Sequence, residues 1–212
     1  ILGHQLKHLE QLGITKVIIT TGPFADKIKA FVWENFPQFN VRYAHNPFYS
    51  STNYIYSLHL ARNFFQENKE EVLLIHGDLV FENEVLKNMI HSSGNRVLLD
   101  RSVPPPEKDF KGRVSANGTI NEIGVKVFGE NCHFLAPLYK LSSEAFQLWL
   151  NEMGTAIAEG KNTIYAEEVF TKIAEEMQLA PYYFDGKFCM EIDNPEDLEK
   201  VRENWSRIVD EK

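Results

Sequence analysis

The chain has 212 residues, enough for one substantial core with room for a small appendage. Its apolar (43%) and charged (25%) fractions are those of an ordinary globular protein, and a net charge of −8 argues against a broad electrostatic surface for DNA or RNA. No apolar run reaches the roughly 18 residues of a membrane span and no signal peptide is visible; Cys132 and Cys189 have neither disulfide-framework nor metal-site spacing, so a reducing compartment, the cytoplasm by default, is expected.

In chain order, Leu2, Leu6, Leu9 and Leu12 recur at helical spacing over Ile1–Leu12, and Gly13 marks a stop. Lys16–Gly22 is a β-branched run ending in glycine, a buried-strand pattern. Phe24–Trp33 reads as a helix, Val41–His45 as a strand, and Tyr54–Phe65 as a longer helix. Val72–Ile75 is a strand that delivers Asp78; Val85–Ile90 is helical and Arg96–Leu99 is again a strand. This alternation predicts an α/β fold with a mostly parallel sheet and helices on both faces.

The pattern changes at Val103-Pro104-Pro105-Pro106, which breaks any regular element. Asn117-Gly118, between Arg113–Ser115 and Thr119–Asn121, signals a small antiparallel hairpin. Phe134–Leu141 is apolar enough for a strand, and helices are expected near Ser143–Met153 and Ala166–Met177. A last strand reaches Ile192, and Pro195–Val209 forms a closing helix. One domain spanning 1–212 is expected, with a variable, acceptor-facing part at about 104–177.

Two acidic segments stand out, His76–Phe81 and Glu191–Leu198. Each places a carboxylate where an apolar strand runs out, and ligands of open α/β sheets sit outside the carboxyl ends of strands. Asp78 is also suited to an ordinary turn, hydrogen-bonding its own backbone after Gly77. Asp193 lies upstream of a helix start already supplied by Asn194 as N-cap and Pro195 at the first position. Glu191 is spaced to share its strand face, and two acids there repel unless a cation or hydrogen bonds compensate. Paired carboxylates suit Mg²⁺, which keeps water and phosphate in its shell.

The loop Asn46–Asn53 joins a strand to a helix that either Thr52 or Asn53 can cap. A helix N-terminus at a sheet edge can also hold a base or phosphate, with Ser57 one turn inside the same crevice. Within an acidic protein some cation must meet an anionic substrate. Lys111, after the triple proline, is the first candidate and Lys126 the second; a solvated charge cluster is the bland alternative for Lys108–Lys111. Tyr182–Phe184, Trp149 and Trp205 read as core, and His45, His76 and His133, lacking metal spacing, read as packing residues.

Four pieces in order resemble the nucleotidyltransferases that join a nucleoside triphosphate to a phosphorylated small molecule, most nearly the CTP:phosphocholine cytidylyltransferase branch. They are Gly13–Gly22, Asn46–Tyr49 continuing through Asn53–Leu58, Gly77–Phe81, and Glu191–Asp193 with Glu196–Leu198. The resemblance implies a GT-A, Rossmann-like fold. It also implies attack of an acceptor phosphate on the α-phosphate of CTP or another nucleoside triphosphate, with Mg²⁺ as cofactor. Asp78, Glu191 and Asp193 would then hold the metal. Gly22, Asn46, Thr52, Asn53 and Ser57 would lie against the nucleotide, and Lys111 would contact phosphate alongside Asp78, with Lys126 in reserve. Lys126 stands beside Val125, where relatives often carry a lysine.

Such enzymes begin with a strand and a Gly-rich basic loop ahead of the helix matching Ile1–Leu12, so an N-terminally incomplete domain lacking a central strand is expected. Activity of this polypeptide would then depend on that segment. Tyr165, Glu167, Glu168 and Tyr139 could form a pocket for a quaternary ammonium. Phosphocholine, aminoethylphosphonate, phosphoethanolamine or a sugar phosphate all fit the same skeleton. A homodimer remains open. A non-catalytic nucleotide- or partner-binding domain and a sugar-1-phosphate nucleotidyltransferase are the competing readings; a glycosyltransferase would want an Asp-x-Asp that His76-Gly77-Asp78 does not supply.

Overall fold

A computed structural model describes residues 1–67 and 69–209. The first unit is a helix followed by a β-α-β crossover: α1 (Leu2–Gln11), β1 (Lys16–Thr21), α2 (Ala25–Asn35) and β2 (Asn40–His45), with β1 and β2 parallel from Lys16↔Asn40 to Thr21↔His45. Gly13 takes φ 73° just past α1, a left-handed conformation that stops the helix at little cost only in glycine. α3 (Tyr54–Ala61) follows, capped by Asn53, whose side chain accepts the Tyr54 N–H at 2.7 Å.

β3 (Val72–Ile75), β4 (Leu79–Phe81), α4 (Asn83–His91) and β5 (Arg96–Asp100) come next. The expected hairpin forms from β6 (Lys111–Val114) and β7 (Ile120–Gly124). Gly118 has φ 83°, and Asn117 Oδ1 accepts the Thr119 N–H at 3.1 Å across the turn. The remaining elements are β8 (Cys132–Leu141), α5 (Ser143–Ala158), a 3₁₀ segment (Ala166–Lys172), α6 (Ala174–Met177), β9 (Ala180–Tyr183), β10 (Cys189–Glu191), α7 (Pro195–Glu203) and α8 (Trp205–Val209).

The chain is α/β, as expected. Parallel pairing occurs in β1/β2 and in β5/β9, while the long β8 runs antiparallel to β3, β5 and β6. The antiparallel part is thus larger than a hairpin. Strand alternation sends successive side chains to opposite faces. Val97 and Leu99 of β5, with Leu135, Tyr139 and Leu141 of β8, meet α3, α5 and α6 on one face. Leu98, with Phe134, Ala136 and Leu138, meets α1 and α4 on the other. Each wholly buried leucine contributes on the order of 2 kcal/mol, and both layers are anchored by such residues.

Three expected helices are shorter than their apolar patterns. Tyr54–Phe65 is α3 followed by a 3₁₀ turn at Arg62–Phe64, and Pro195–Val209 is two helices meeting at Asn204. Over Ala166–Met177 the cause is tertiary. The Ala166 carbonyl, which an α-helix would offer to its own chain, accepts the buried Trp149 indole N–H at 2.9 Å. Gln178 at φ 50° then ends α6. No described helix is long and apolar enough to cross a membrane.

Candidate active site

Chain reversal after β3 creates the site. The Leu79 N–H bonds back to the His76 carbonyl at 3.3 Å, closing a tight turn over His76-Gly77-Asp78. Gln5 of α1 holds that turn from below, its amide donating to the carbonyls of His76 and Leu79, each at 2.8 Å. β4 then pairs antiparallel with β10, Leu79 opposite Glu191, and the Ile192 N–H donates to the Asp78 carbonyl at 3.1 Å. This short ladder is what brings the two acidic segments together.

Asp78 and Glu191 meet as the sequence predicts, but the third group beside them is His76. One ligand atom from each of His76, Asp78 and Glu191 lies within 4.8 Å of the other two. His76 Nδ1 is 3.5 Å from Glu191 Oε1, and its Nε2 is 4.0 Å from Oε1 of Glu167. Asp78 Oδ1 is buried and finds no hydrogen-bond partner among the described residues. Burial holds the Glu191 carboxyl above the usual range; His76 opposes the shift, while the charges of Asp78 and Asp193 reinforce it.

Asp193 is exposed, outside this set, with its backbone N–H 3.4 Å from Asp197 Oδ2. Its charge is still felt at Glu191 and Asp109. Asn194 and Pro195 start α7 as expected, the Asn194 side chain accepting the Asp197 N–H at 3.0 Å.

Glu167 is fully buried behind His76. Tyr139 donates to its Oε1 at 2.8 Å, and its Oε2 has no partner among the described residues. Burial pushes this carboxyl up to about 8. The Tyr54 ring lies 4.7 Å from the His76 ring, and Tyr165 stands 6.3 Å from Tyr54 and 5.1 Å from Phe110, so these rings form one aromatic cluster against His76.

The residues expected to lie against a nucleotide cluster around Asn46. That side chain is buried and donates to Thr52 Oγ1 (3.0 Å) and Ser57 Oγ (3.1 Å) while accepting the Phe48 N–H (2.9 Å). Asn53 reaches across to the loop ahead of the 3₁₀ segment: its N–H donates to the Asn162 carbonyl at 2.9 Å and its amide to the Thr163 carbonyl at 3.4 Å. At Gly22 a Cβ would sit 3.1 Å from the Tyr49 ring, so glycine is what lets the Asn46–Asn53 loop close against the end of β1.

Lys111 requires a correction. Rather than reaching toward a phosphate, its buried ammonium donates to the carbonyls of Pro106 (2.8 Å), Glu107 (3.1 Å) and Asp109 (2.9 Å) and lies 4.5 Å from the Phe128 ring centre. An ammonium has three donors, and all three are used. Lys126, just past β7, is exposed.

His76 is the residue that sequence reasoning passed over. Spacing rules built on histidine pairs do not flag it, but its place in the His76-Gly77-Asp78 turn, immediately after β3 and two residues before Asp78, carried the signal.

Residues 1–104 match a family model described as a domain of unknown function, DUF6564. Over 89 residues the chain is 33% identical to the CMP-5'-(3-aminopropyl)phosphonate synthase of Streptomyces rubellomurinus, covering 42% of this chain and 14% of that protein. The chain spans less than half the length of the curated relatives it matches, 14% and 44%. Among solved structures, the inositol-1-phosphate CTP transferase from T. maritima superposes with a TM-score of 0.76 at 18% identity, covering 98% of this chain and 82% of that one. The CTP:phosphocholine cytidylyltransferase from Streptococcus pneumoniae gives 0.71 at 16%, covering 96% and 84%. The fold is therefore the one found in these nucleotidyltransferases.

Proposed function

We propose that this chain carries the catalytic face of a nucleotidyltransferase, moving a cytidylyl group from CTP to a small phosphorylated acceptor with release of pyrophosphate. The observation that carries this reading is the convergence of Asp78 and Glu191, from distant segments, past the carboxyl end of β3, with Tyr54 at the start of α3 packed on the neighbouring His76. An acceptor phosphate oxygen attacks the α-phosphorus, a new P–O–P bond forms, and the bond to the β-phosphate breaks with its electron pair leaving on pyrophosphate. The attacking group is already an anion, so no general base is required.

The residues present fit a divalent cation: two carboxylates in reach of one point, with the buried Asp78 Oδ1 lacking any other partner among the described residues. Asp78 and Glu191 would hold the ion, whose bound charge offsets that building up on the α-phosphate. Two carboxylates alone favour Mg²⁺. Asp193 serves as an outer acid, felt electrostatically at Glu191. Asn46, tied to Thr52 and Ser57, fixes the loop against which the nucleoside lies, and Gly22 lets that loop seat. With Lys111 engaged, Lys126 takes the phosphate-contact role.

For the acceptor, the rings of Tyr54, Phe110 and Tyr165 support a cationic head such as that of phosphocholine or an aminoalkylphosphonate. The partial relative named for an aminopropylphosphonate agrees with this class. The engaged Lys111 favours a second reading, nucleotide binding without transfer.

Pyrophosphate release decides between the two. CTP with phosphocholine or 2-aminoethylphosphonate should give turnover, and inositol or glucose 1-phosphate much less. A preference for the sugar phosphates would remove the cationic-acceptor assignment. CTP binding with no turnover on any acceptor would favour the second reading.

A further inference from the structure

The imidazole of His76 sits between two carboxylates that do different things. On its Nδ1 side is Glu191, 3.5 Å away, in the crevice shared with Asp78; on its Nε2 side is the fully buried Glu167, 4.0 Å away, itself fixed by the Tyr139 hydroxyl at 2.8 Å. Neither His76 Nε2 nor Glu167 Oε2 finds a hydrogen-bond partner among the described residues. A carboxyl group buried with one oxygen unbonded is costly even when it keeps its proton, so its position behind a histidine calls for a reason.

Metal geometry supplies one. Donor atoms about 2.1 Å from one ion lie about 3 Å apart at right angles and about 4.2 Å apart when opposite. The 3.5 Å separation of His76 Nδ1 and Glu191 Oε1 falls inside that window, and the whole set of three ligand atoms, within 4.8 Å, lies close to it. Ligating histidines regularly turn their second nitrogen to a carboxylate that orients the ring and raises its basicity. Tyr139, Glu167 and His76 are lined up for such a chain toward the crevice: the first bond is made at 2.8 Å, and Glu167 Oε1 stands 4.0 Å from His76 Nε2, where a small turn of the ring would close the second.

We infer that His76 is the third protein ligand of the divalent cation gripped by Asp78 and Glu191, that Glu167 orients it, and that this mixed nitrogen–oxygen set selects Mn²⁺ over Mg²⁺. The inference rests on the reading of Asp78 and Glu191 as metal ligands. Mg²⁺ takes oxygen donors and gains little from an imidazole, whereas first-row transition cations bind one well. Glu167 acts through His76 and is a positioning residue.

The test needs no turnover. Mn²⁺ is titrated into the nucleotide-free protein, free ion is followed by electron paramagnetic resonance, and the bound ion is examined for electron spin-echo modulation from ¹⁴N. One Mn²⁺ per chain with imidazole modulation is expected from the unaltered protein. His76→Gln should abolish the modulation and weaken Mn²⁺ about tenfold or more, while Mg²⁺ competition moves far less. Mn²⁺ bound without ¹⁴N modulation overturns the His76 assignment and leaves the acidic pair standing. Failure to bind any divalent ion overturns both. Modulation in a protein that transfers no nucleotide supports His76 and refutes the proposed reaction alone.

Discussion

Lys111 and Glu167 are both ionisable and both fully buried, yet their surroundings are finished to different degrees. The lysine sits on β6 with every donor on a carbonyl of the preceding turn. The glutamate sits at the start of the 3₁₀ segment with one oxygen taken by Tyr139 and the other unpartnered, and the crevice next to it repeats the pattern at Asp78. A buried ionisable group with all its bonds made stabilises the fold around it; one left short keeps its remaining interaction for something that arrives later. By that criterion the loop at 104–111 is architecture, and the His76–Asp78–Glu167–Glu191 crevice is the place for the proposed chemistry.

The contrast can be broken most easily at Lys111. Lys111→Met strands three carbonyls and should cost about 3 kcal/mol or more in urea unfolding. Unchanged stability with lost activity would return the lysine to the reaction. Asp78→Asn should behave oppositely, with turnover falling about a hundredfold, the kinetic worth of roughly 3 kcal/mol of charge stabilisation, and no loss of melting temperature. A comparable drop in both would make Asp78 structural.

Glu167→Gln sharpens the comparison through pH. The native carboxyl holds its proton up to about 8, whereas the unfolded chain releases it near the ordinary value of 4.5. The native state therefore binds more protons in between. The contribution is fully present below pH 4.5 and is lost as pH rises toward 8. Glutamine keeps an acceptor for Tyr139 and does not titrate, so the variant should gain on the parent across that window, by on the order of 2 kcal/mol near its upper end. Denaturant midpoints at pH 4.5 and pH 8 check this; equal differences at both would remove the buried acid from the account. The smallest effect belongs to Asn53→Ala, which removes the α3 cap and the tie to Thr163 for about 1 kcal/mol, read as a modest shift in midpoint.

What could be read from the chain divides along the same physical line. Asn117-Gly118, Asn194-Pro195 and Asn53 are local devices, and each forms the turn or cap its residues require. Asp78 and Glu191 were legible because a carboxylate at the end of an apolar strand is an anomaly in itself. The engagement of Lys111 was not, since it depends on how the residues after the triple proline curl their carbonyls toward Nζ. Nor was the break-up of Ala166–Met177, decided by an indole N–H reaching in from α5. His76 lay between these cases: its spacing to Asp78 was visible, but its relation to Glu167 belongs to tertiary packing.

The three-residue ladder between β4 and β10 has a consequence for biosynthesis. Its register places Glu191 against Leu79, so the two carboxylates become neighbours only when a segment translated late returns to one translated early. Loop closure over such a separation is slow compared with forming a hairpin or a helix. A nascent chain stalled before β10 would present Asp78 on a turn with no facing acid, unable to chelate, however well its earlier helices had formed. Competence for the proposed ion thus waits for β10, well after Asp78 has left the ribosome.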